Sequence, residues 1–253
     1  MKRLWFFDLD GTLADTDRDI REAWKAVLRD MGIECPNFDR DFVAGPPIEE
    51  MARSLFPGIF TPELGAELRR RFGEHYDNDG FPYTVEYPGV LDRVRALRAS
   101  GATVVVATNK RYKGAMLIAE KFGWRDVFDG IYAGDMYRDD PSIGVLKKPA
   151  LLALLISRYG AKPEECAIVG DTKSDFLAAR ENGIESVGVR WGYGTAEELA
   201  LADTYIEVLQ DLSETALLCR ESEAEVFDLK YAGIFHLSTP PLLVLTLMPS
   251  EIK

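Results

Sequence analysis

Short apolar runs alternate with amphipathic stretches over much of the chain. Such runs, bounded by polar residues and glycines, are typical of strands buried on both faces of a sheet. The predicted strands span residues 4–9, 103–108, 130–133, 166–169, 186–189 and 205–206. The predicted helices that alternate with them span residues 90–99, 113–122, 149–159, 174–182 and 196–202. This alternation predicts an α/β fold, a doubly wound parallel-sheet (Rossmann-like) core with helices on both faces.

A different pattern follows the first predicted strand. Residues 33–87 contain no buried-strand run and many Pro and Gly breakers, such as those at 45–47. Apolar side chains recur at helical spacing over residues 18–31, which predicts an amphipathic helix. Thr61 and Pro62 are suited to the N-cap and the first residue of another helix. We therefore expect a helical insert after the first strand.

These patterns predict two structural units and a C-terminal segment. The α/β core comprises residues 1–14 and 88–212, and the helical cap comprises residues 15–87. Residues 213–253 contain the end of a closing helix, predicted over 208–219, and an extension to which no motif gives a role. The apolar run at 242–248 fits an edge strand, a homo-oligomer contact through this extension or a frayed tail equally well.

Composition and charge narrow the function classes. The chain has 42 acidic and 30 basic residues, a formal net charge of −12, which argues against nucleic acid or an anionic membrane as partner. No segment approaches the roughly 20 apolar residues of a membrane span. The three cysteines lack metal-site or disulfide-framework spacing, so we expect a reducing, cytoplasmic location.

Polar side chains follow several of the predicted strands. In a parallel sheet these positions meet at one edge, where ligands bind. Grouped carboxylates repel one another unless a hard cation joins them, and an all-oxygen ligand set suits Mg²⁺. One carboxylate can attack phosphorus while another handles a proton, and an ammonium and a hydroxyl can stabilise the transferred phosphoryl group. The residues at this edge are Asp8, Asp10, Thr108, Asn109, Lys110, Lys148, Asp171 and Asp175.

Four segments in this order resemble the motifs of the haloacid dehalogenase superfamily. They are FDLDGTLADT at 7–16, VVVATNK at 104–110, KKPALL at 147–152 and VGDTKSD at 169–175. The first fixes four positions, and the joint occurrence of all four is specific. The resemblance covers residues 1 to about 212.

The resemblance implies a role for each matching residue. Asp8 is the nucleophile, and Asp10 is the general acid for the leaving group and then the base for water. An Asp at position 10 implies a phosphatase, because the dehalogenating branch lacks it. The cap closes over the site and excludes water. Implied phosphate ligands are Thr108, Asn109 and Lys148, and implied Mg²⁺ ligands are Asp8, Asp10 through its carbonyl, Asp171 and Asp175.

Narrower similarities point to the phosphoglycolate phosphatase-like branch. They lie at 87–90, 108–110 and 188–194. The expected substrate is a small phosphorylated metabolite, with 2-phosphoglycolate the best single candidate. A pyrophosphatase, a nucleotidase, a phosphoglucomutase-type isomerase and a non-catalytic binding module remain alternatives.

Several charged residues have simpler interpretations. Lys147 is a minor rival of Lys148 for the phosphate, and Lys110 and Lys173 fit solvated surface charges. The run 69–71 of three arginines fits a solvated helix face, because consecutive helical residues point in different directions. His75 and His236 have no partner at metal spacing, and Asp15 and Thr16 are expected to brace the hinge into the cap.

Overall fold

The computed structural model describes residues 2–212. The strands are β1 (Leu4–Phe7), β2 (Ala14–Asp15), β3 (Val85–Glu86), β4 (Thr103–Thr108), β5 (Gly130–Ala133), β6 (Cys166–Gly170), β7 (Glu185–Val189) and β8 (Thr204–Ile206). The α-helices are α1 (Asp17–Asp30), α2 (Phe38–Asp41), α3 (Ile48–Leu55), α4 (Pro62–Tyr76), α5 (Val90–Ala99), α6 (Tyr112–Lys121), α7 (Lys148–Arg158), α8 (Lys173–Asn182) and α9 (Ala196–Leu199).

Six of these strands form one sheet in the order β5-β4-β1-β6-β7-β8, and every pairing in it is parallel. The first strand is central because it pairs with both β4 and β6. Its side chains are fully buried, as a strand covered on both faces requires. Helices α7 and α8 pack together against the sheet through an apolar cluster that includes Leu151 and Leu155. The predicted doubly wound α/β fold is confirmed.

Helices α1 to α4 lie between β2 and β3, which form a separate antiparallel pair. We call residues 16–84, which contain the four helices, the helical insert, and we call the paired strands the hinge. Helices α1 and α4 pack together, with the rings of Trp24 and Phe72 5.7 Å apart. At the start of α4 the Leu64 amide donates to the Thr61 hydroxyl at 3.2 Å and Pro62 is the first helical residue, as predicted. The domain division at residues 15 and 87 stays a prediction.

The first strand is shorter than the sequence predicted. It ends at Phe7, although the Asp8 amide still donates to the Val169 carbonyl at 2.9 Å. The chain then turns, because the amides of Leu13 and Ala14 both donate to the Leu9 carbonyl. Asp8 and Asp10 therefore leave the strand and lie at the edge of the sheet.

The closing helix predicted from residue 208 is wrong over residues 208–212. Leu209–Asp211 is a single 3₁₀ turn, because the Asp211 carboxylate accepts from the Val208 amide, and Leu212 is extended. Arg93 of α5 donates to the Gln210 carbonyl at 2.6 Å, which fixes the turn against the core. The rest of that helix and the expected oligomer contact lie outside the described residues. Between residues 2 and 212, no helix has the length and apolar character needed to cross a membrane.

Candidate active site

Three carboxylates meet at the carboxyl edge of the sheet. Asp8 follows β1, Asp171 follows the neighbouring β6, and Asp175 lies in the first turn of α8. Each is buried, and each offers an oxygen atom within 4.8 Å of the other two. Adjacent parallel strands end at the same edge, so the sheet itself brings Asp8 and Asp171 together.

Lys148 lies among these acids. Its side chain is 1% exposed, with Nζ 3.0 Å from Asp8 Oδ1 and 2.5 Å from Asp175 Oδ1. Burial alone would lower the pKa of Lys148, but the charges of Asp175 and Asp8 outweigh burial and raise it above its usual value. The neighbouring Lys147 is exposed. Of the two candidate lysines, only Lys148 reaches the acids.

Glycines allow the backbone to approach Asp171 closely. A Cβ at Gly11 would lie 2.1 Å from Asp171 Oδ2, and one at Gly192 would lie 2.2 Å from its Cβ. Gly11 also has φ +76°, a conformation that favours glycine. The Tyr193 amide donates to Asp171 Oδ2 at 2.7 Å. Burial, and then the charges of Asp175 and Asp8, raise the pKa of Asp171 well above its ordinary value.

The charges of the site fit a divalent cation. When ionised, Asp8, Asp10, Asp171 and Asp175 contribute four negative charges, and within residues 2–212 the ammonium groups that contact them are the two of Lys110 and Lys148. The sum of −4 and +2 is −2. Asp8 Oδ1 is buried without a well-aligned hydrogen bond, although Lys148 Nζ is 3.0 Å away. An all-oxygen donor set with this excess charge suits a hard divalent ion.

Asp175 has a second structural task. Its Oδ1 accepts from Lys148, and its Oδ2 accepts from the amide and the hydroxyl of Thr172 at 3.2 and 3.1 Å. Thr172 is the N-cap of α8, so Asp175 closes the first turn of the helix. Although it closes a helix terminus, the Asp175 side chain is buried rather than at the surface.

The second aspartate of the first motif lies beside these groups and has its own partners. Asp10 Oδ1 accepts from the Thr16 hydroxyl at 2.7 Å and from Lys110 Nζ at 2.8 Å. Interpreting Lys110 as a solvated charge was wrong, since its side chain is only 6% exposed. A signal was present in the sequence, because Lys110 follows a predicted strand by two residues, at the same edge as the acids.

Thr108 and Asn109 lie at the end of β4, the other neighbour of β1. Thr108 is buried, and its hydroxyl accepts from the Lys110 amide at 3.1 Å. Asn109 donates from Nδ2 to the Ser174 hydroxyl at 2.8 Å, which links the turn after β4 to helix α8. The structure thus brings both residues to the edge where the acids lie.

Tyr193 joins the site to the hinge, a role that was not predicted from the sequence. Its hydroxyl accepts from the amides of Thr16 and Asp17 at 2.6 and 3.0 Å and donates to Asp15 Oδ1 at 3.0 Å. Its own amide binds Asp171. Asp15 and Thr16 therefore brace the hinge as expected, and Thr16 also reaches Asp10. The position of Tyr193 shortly after β7 was the available clue.

Other charged residues form ion pairs away from the acids. In α4, Arg70 and Arg71 both donate to Glu67, and Arg69 pairs with Glu49 of α3. His75 Nε2 lies 2.7 Å from Asp30 Oδ2, which joins α4 to α1. Lys173 lies 3.3 Å from Glu198 at the surface. His236 lies outside the described residues.

Known proteins resemble both the sequence and the fold. The family model described as haloacid dehalogenase-like hydrolase matches residues 5–189. A phosphoglycolate phosphatase of Chromobacterium violaceum is 34% identical over 81% of this chain and 92% of its own length, and one of Vibrio vulnificus is 31% identical over 79% and 89%. The solved structure of a haloacid dehalogenase-like hydrolase from Streptococcus pneumoniae has a TM-score of 0.70 at 26% identity, covering 83% of this chain and 96% of that one.

The parallel sheet with buried carboxylates at its carboxyl edge is the architecture of an α/β enzyme, and the chain belongs to the haloacid dehalogenase-like hydrolase family. Within that family it is a phosphatase, a phosphoric monoester hydrolase. The expectations of family and enzyme class are confirmed.

Proposed function

We propose that this phosphatase is Mg²⁺-dependent and hydrolyses a small phosphate monoester, with 2-phosphoglycolate the best single candidate, through an aspartyl-phosphate on Asp8. One observation carries the proposal: buried Asp8 pairs with Lys148 beside two further buried carboxylates, while Asp10 lies at the same edge with partners of its own. The choice of 2-phosphoglycolate as the candidate substrate rests on the similar proteins, which are named phosphoglycolate phosphatases.

In this proposal two carboxylates divide the chemistry. An oxygen of Asp8 attacks phosphorus, and the bond from phosphorus to the ester oxygen breaks. That oxygen takes the bonding electron pair and receives a proton from Asp10. Asp10 then takes a proton from water, which attacks the aspartyl-phosphate, so that inorganic phosphate leaves and the Asp8 carboxylate is restored.

The phosphoryl group needs positive charge and hydrogen-bond donors. Lys148 supplies an ammonium next to Asp8, and the hydroxyl of Thr108 and the amide of Asn109 are assigned to the phosphoryl oxygens. Asp8, Asp171, Asp175 and the Asp10 carbonyl are assigned to Mg²⁺, with Asp175 direct or through water. When bound, Mg²⁺ supplies charge neutralisation for the phosphoryl group.

The helical insert is proposed to act as a cap that excludes water. Two of its contacts with the core lie close to the site: Tyr76 accepts from Lys110, and Asp77 pairs with Arg111. The partners proposed for the enzyme are small phosphorylated metabolites, and neither nucleic acid nor membrane. The cytoplasmic location stays a prediction that rests on the cysteine pattern.

A substrate panel tests the proposal. Purified protein is assayed for phosphate release from 2-phosphoglycolate, pyrophosphate, nucleoside monophosphates and sugar phosphates, with Mg²⁺ and with a chelator. We expect the largest kcat/KM for 2-phosphoglycolate, dependence on Mg²⁺ and no turnover by Asp8→Asn. Fastest turnover of pyrophosphate or a nucleotide would replace the substrate assignment. Absence of turnover on every ester would overturn the proposed function.

A further inference from the structure

Lys110 is a buried cation with two partners, one in the core and one in the helical insert. Its Nζ lies 2.8 Å from Asp10 Oδ1 and 2.7 Å from the Tyr76 hydroxyl. A buried ammonium is costly unless such partners compensate the lost water. The cation is therefore held at a defined place beside Asp10.

The hydrogen bonds to Asp10 converge on one of its two oxygens. Thr16 and Lys110 both donate to Oδ1, and within residues 2–212 no side chain donates to Oδ2. A carboxylate fixed through one oxygen keeps the other for a reacting group. Proton transfer depends on such positioning, since a general acid must lie within hydrogen-bond reach of the atom it protonates.

The position of the ammonium depends on the helical insert. Tyr76 is the last residue of α4, and its ring stacks on Phe72 at 5.1 Å and packs edge-on against Phe81 at 4.9 Å. Lys110 Nζ lies 4.4 Å from the centre of the Tyr76 ring, so both the ring and the hydroxyl orient it. A contact from the insert thus reaches Asp10 through one side chain.

We propose that Lys110, oriented by Tyr76, is a positioning residue that aligns Asp10 for protonation of the leaving group. The proposal rests on the proposed function, in which Asp10 is that acid. It assigns Lys110 to the orientation of Asp10 and not to the binding of substrate. It also makes correct docking of the insert a condition for efficient proton transfer.

The dependence on the leaving group tests this assignment. An alkyl phosphate needs its leaving oxygen protonated, whereas p-nitrophenolate leaves with little help. The two substrates are the alkyl phosphate that the wild-type enzyme hydrolyses fastest and p-nitrophenyl phosphate. The quantity compared is kcat/KM, which covers the steps up to release of the leaving group. For Lys110→Met we expect a loss of about 30-fold on the alkyl ester and less than about 3-fold on the aryl ester.

A second variant and a control separate positioning from structural support. Tyr76→Phe keeps the aromatic stack and removes one hydrogen bond, so we expect the same selectivity with a loss of about 5-fold on the alkyl ester. Lys121→Met removes another core-to-insert contact, to the Phe81 carbonyl, and we expect no change in the ratio of the two rates.

Equal losses on both esters for Lys110→Met and Tyr76→Phe would overturn the positioning role, and so would a rise in KM as the main effect on the alkyl ester. Wild-type turnover that survives Asp8→Asn would overturn the proposed function instead. A wild-type protein that hydrolyses neither ester overturns both.

Discussion

In the parallel sheet, the acids of the site are placed by strand ends and surrounded by buried groups, whereas the ion pairs of the helical insert lie mostly at its surface. Lys148 is 1% exposed between Asp8 and Asp175, but Arg70 is 52% exposed beside Glu67. A buried charge that loses its partner is strongly destabilising, and an exposed pair contributes little. The core therefore holds the charged side chains of the active site in place. Substituting the exposed charges of the insert should change the free energy of unfolding only slightly.

The contrast has an exception at the interface between the two regions. Tyr76 ends helix α4 and Asp77 is its C-cap; the side chains of both are covered, and they contact Lys110 and Arg111 of the core. These are the residues of the insert for which we expect an effect on turnover. Elsewhere in the insert, substitution should alter stability more than catalysis.

The largest effect is expected for the buried lysine of the core. Lys148→Met leaves Asp8 and Asp175 without their cation, so we expect turnover to fall about 10³-fold and the free energy of unfolding to fall by about 3 kcal/mol. Steady-state kinetics and urea unfolding measure the two quantities. The matched control is the exposed neighbour, and Lys147→Met should change the free energy of unfolding by less than about 0.5 kcal/mol. Similar losses in the two variants would contradict the assignment of Lys148.

An intermediate effect is expected for the buried acid Asp171 and depends on pH. Its pKa is raised in the folded protein by burial and by Asp175 and Asp8, so the unfolded chain releases the proton first as pH rises. In metal-free buffer this lowers the free energy of unfolding by up to about 1.4 kcal/mol per pH unit between the two pKa values. Asp171→Asn has no such proton to lose.

Urea unfolding of both proteins between pH 4 and pH 8 measures the difference. Without metal, the wild-type protein should lose stability relative to Asp171→Asn as pH rises. With Mg²⁺ the order should reverse at neutral pH, because the wild-type protein binds the ion through one more carboxylate. A difference that is constant with pH and unaffected by Mg²⁺ would contradict the metal assignment.

The smallest effect is expected in the insert, at the pair of His75 and Asp30. Both side chains are about one-third exposed, so the pair should contribute less than about 1 kcal/mol to the free energy of unfolding. His75→Gln, Asp30→Asn and the double variant form a cycle that isolates the interaction in urea unfolding. Turnover should stay at the wild-type rate. A coupling energy between His75 and Asp30 above about 2 kcal/mol, or a loss of turnover, would contradict the view that charged pairs of the insert contribute little to stability and catalysis.

The features that could be predicted from the sequence also differ from those that could not in whether they are local or long-range. The strands of the core and the acids after them were predicted, because continuous apolar runs and the residues that end them are local signals. The partners of Lys110 and Tyr193 were not predicted. Lys110 contacts Tyr76, 34 positions away in the chain, and Tyr193 contacts Thr16, 177 positions away. Such long-range contacts depend on how the insert folds back on the core.

The end of the described chain shows a second limit. Apolar spacing predicted a helix from residue 208, but one side chain, that of Asp211, closes a single turn and the next residue is extended. A helix and a turn closed by a side chain compete for this segment, and the hydrogen bond from Arg93 of α5 to the Gln210 carbonyl favours the turn. Periodicity alone carries no information on that contact.

The central claim is that Asp8 carries the phosphoryl group during turnover, and trapping that group tests it most directly. Asp10→Asn is mixed with p-nitrophenyl phosphate and Mg²⁺, quenched in acid, digested and analysed by mass spectrometry. In Asp10→Asn the p-nitrophenolate still leaves with little protonation, but water is no longer activated. We therefore expect one phosphoryl group on the peptide that contains Asp8. In the double variant Asp8→Asn/Asp10→Asn we expect none. A phosphoryl group on another residue, or wild-type turnover that persists in Asp8→Asn, would contradict the account.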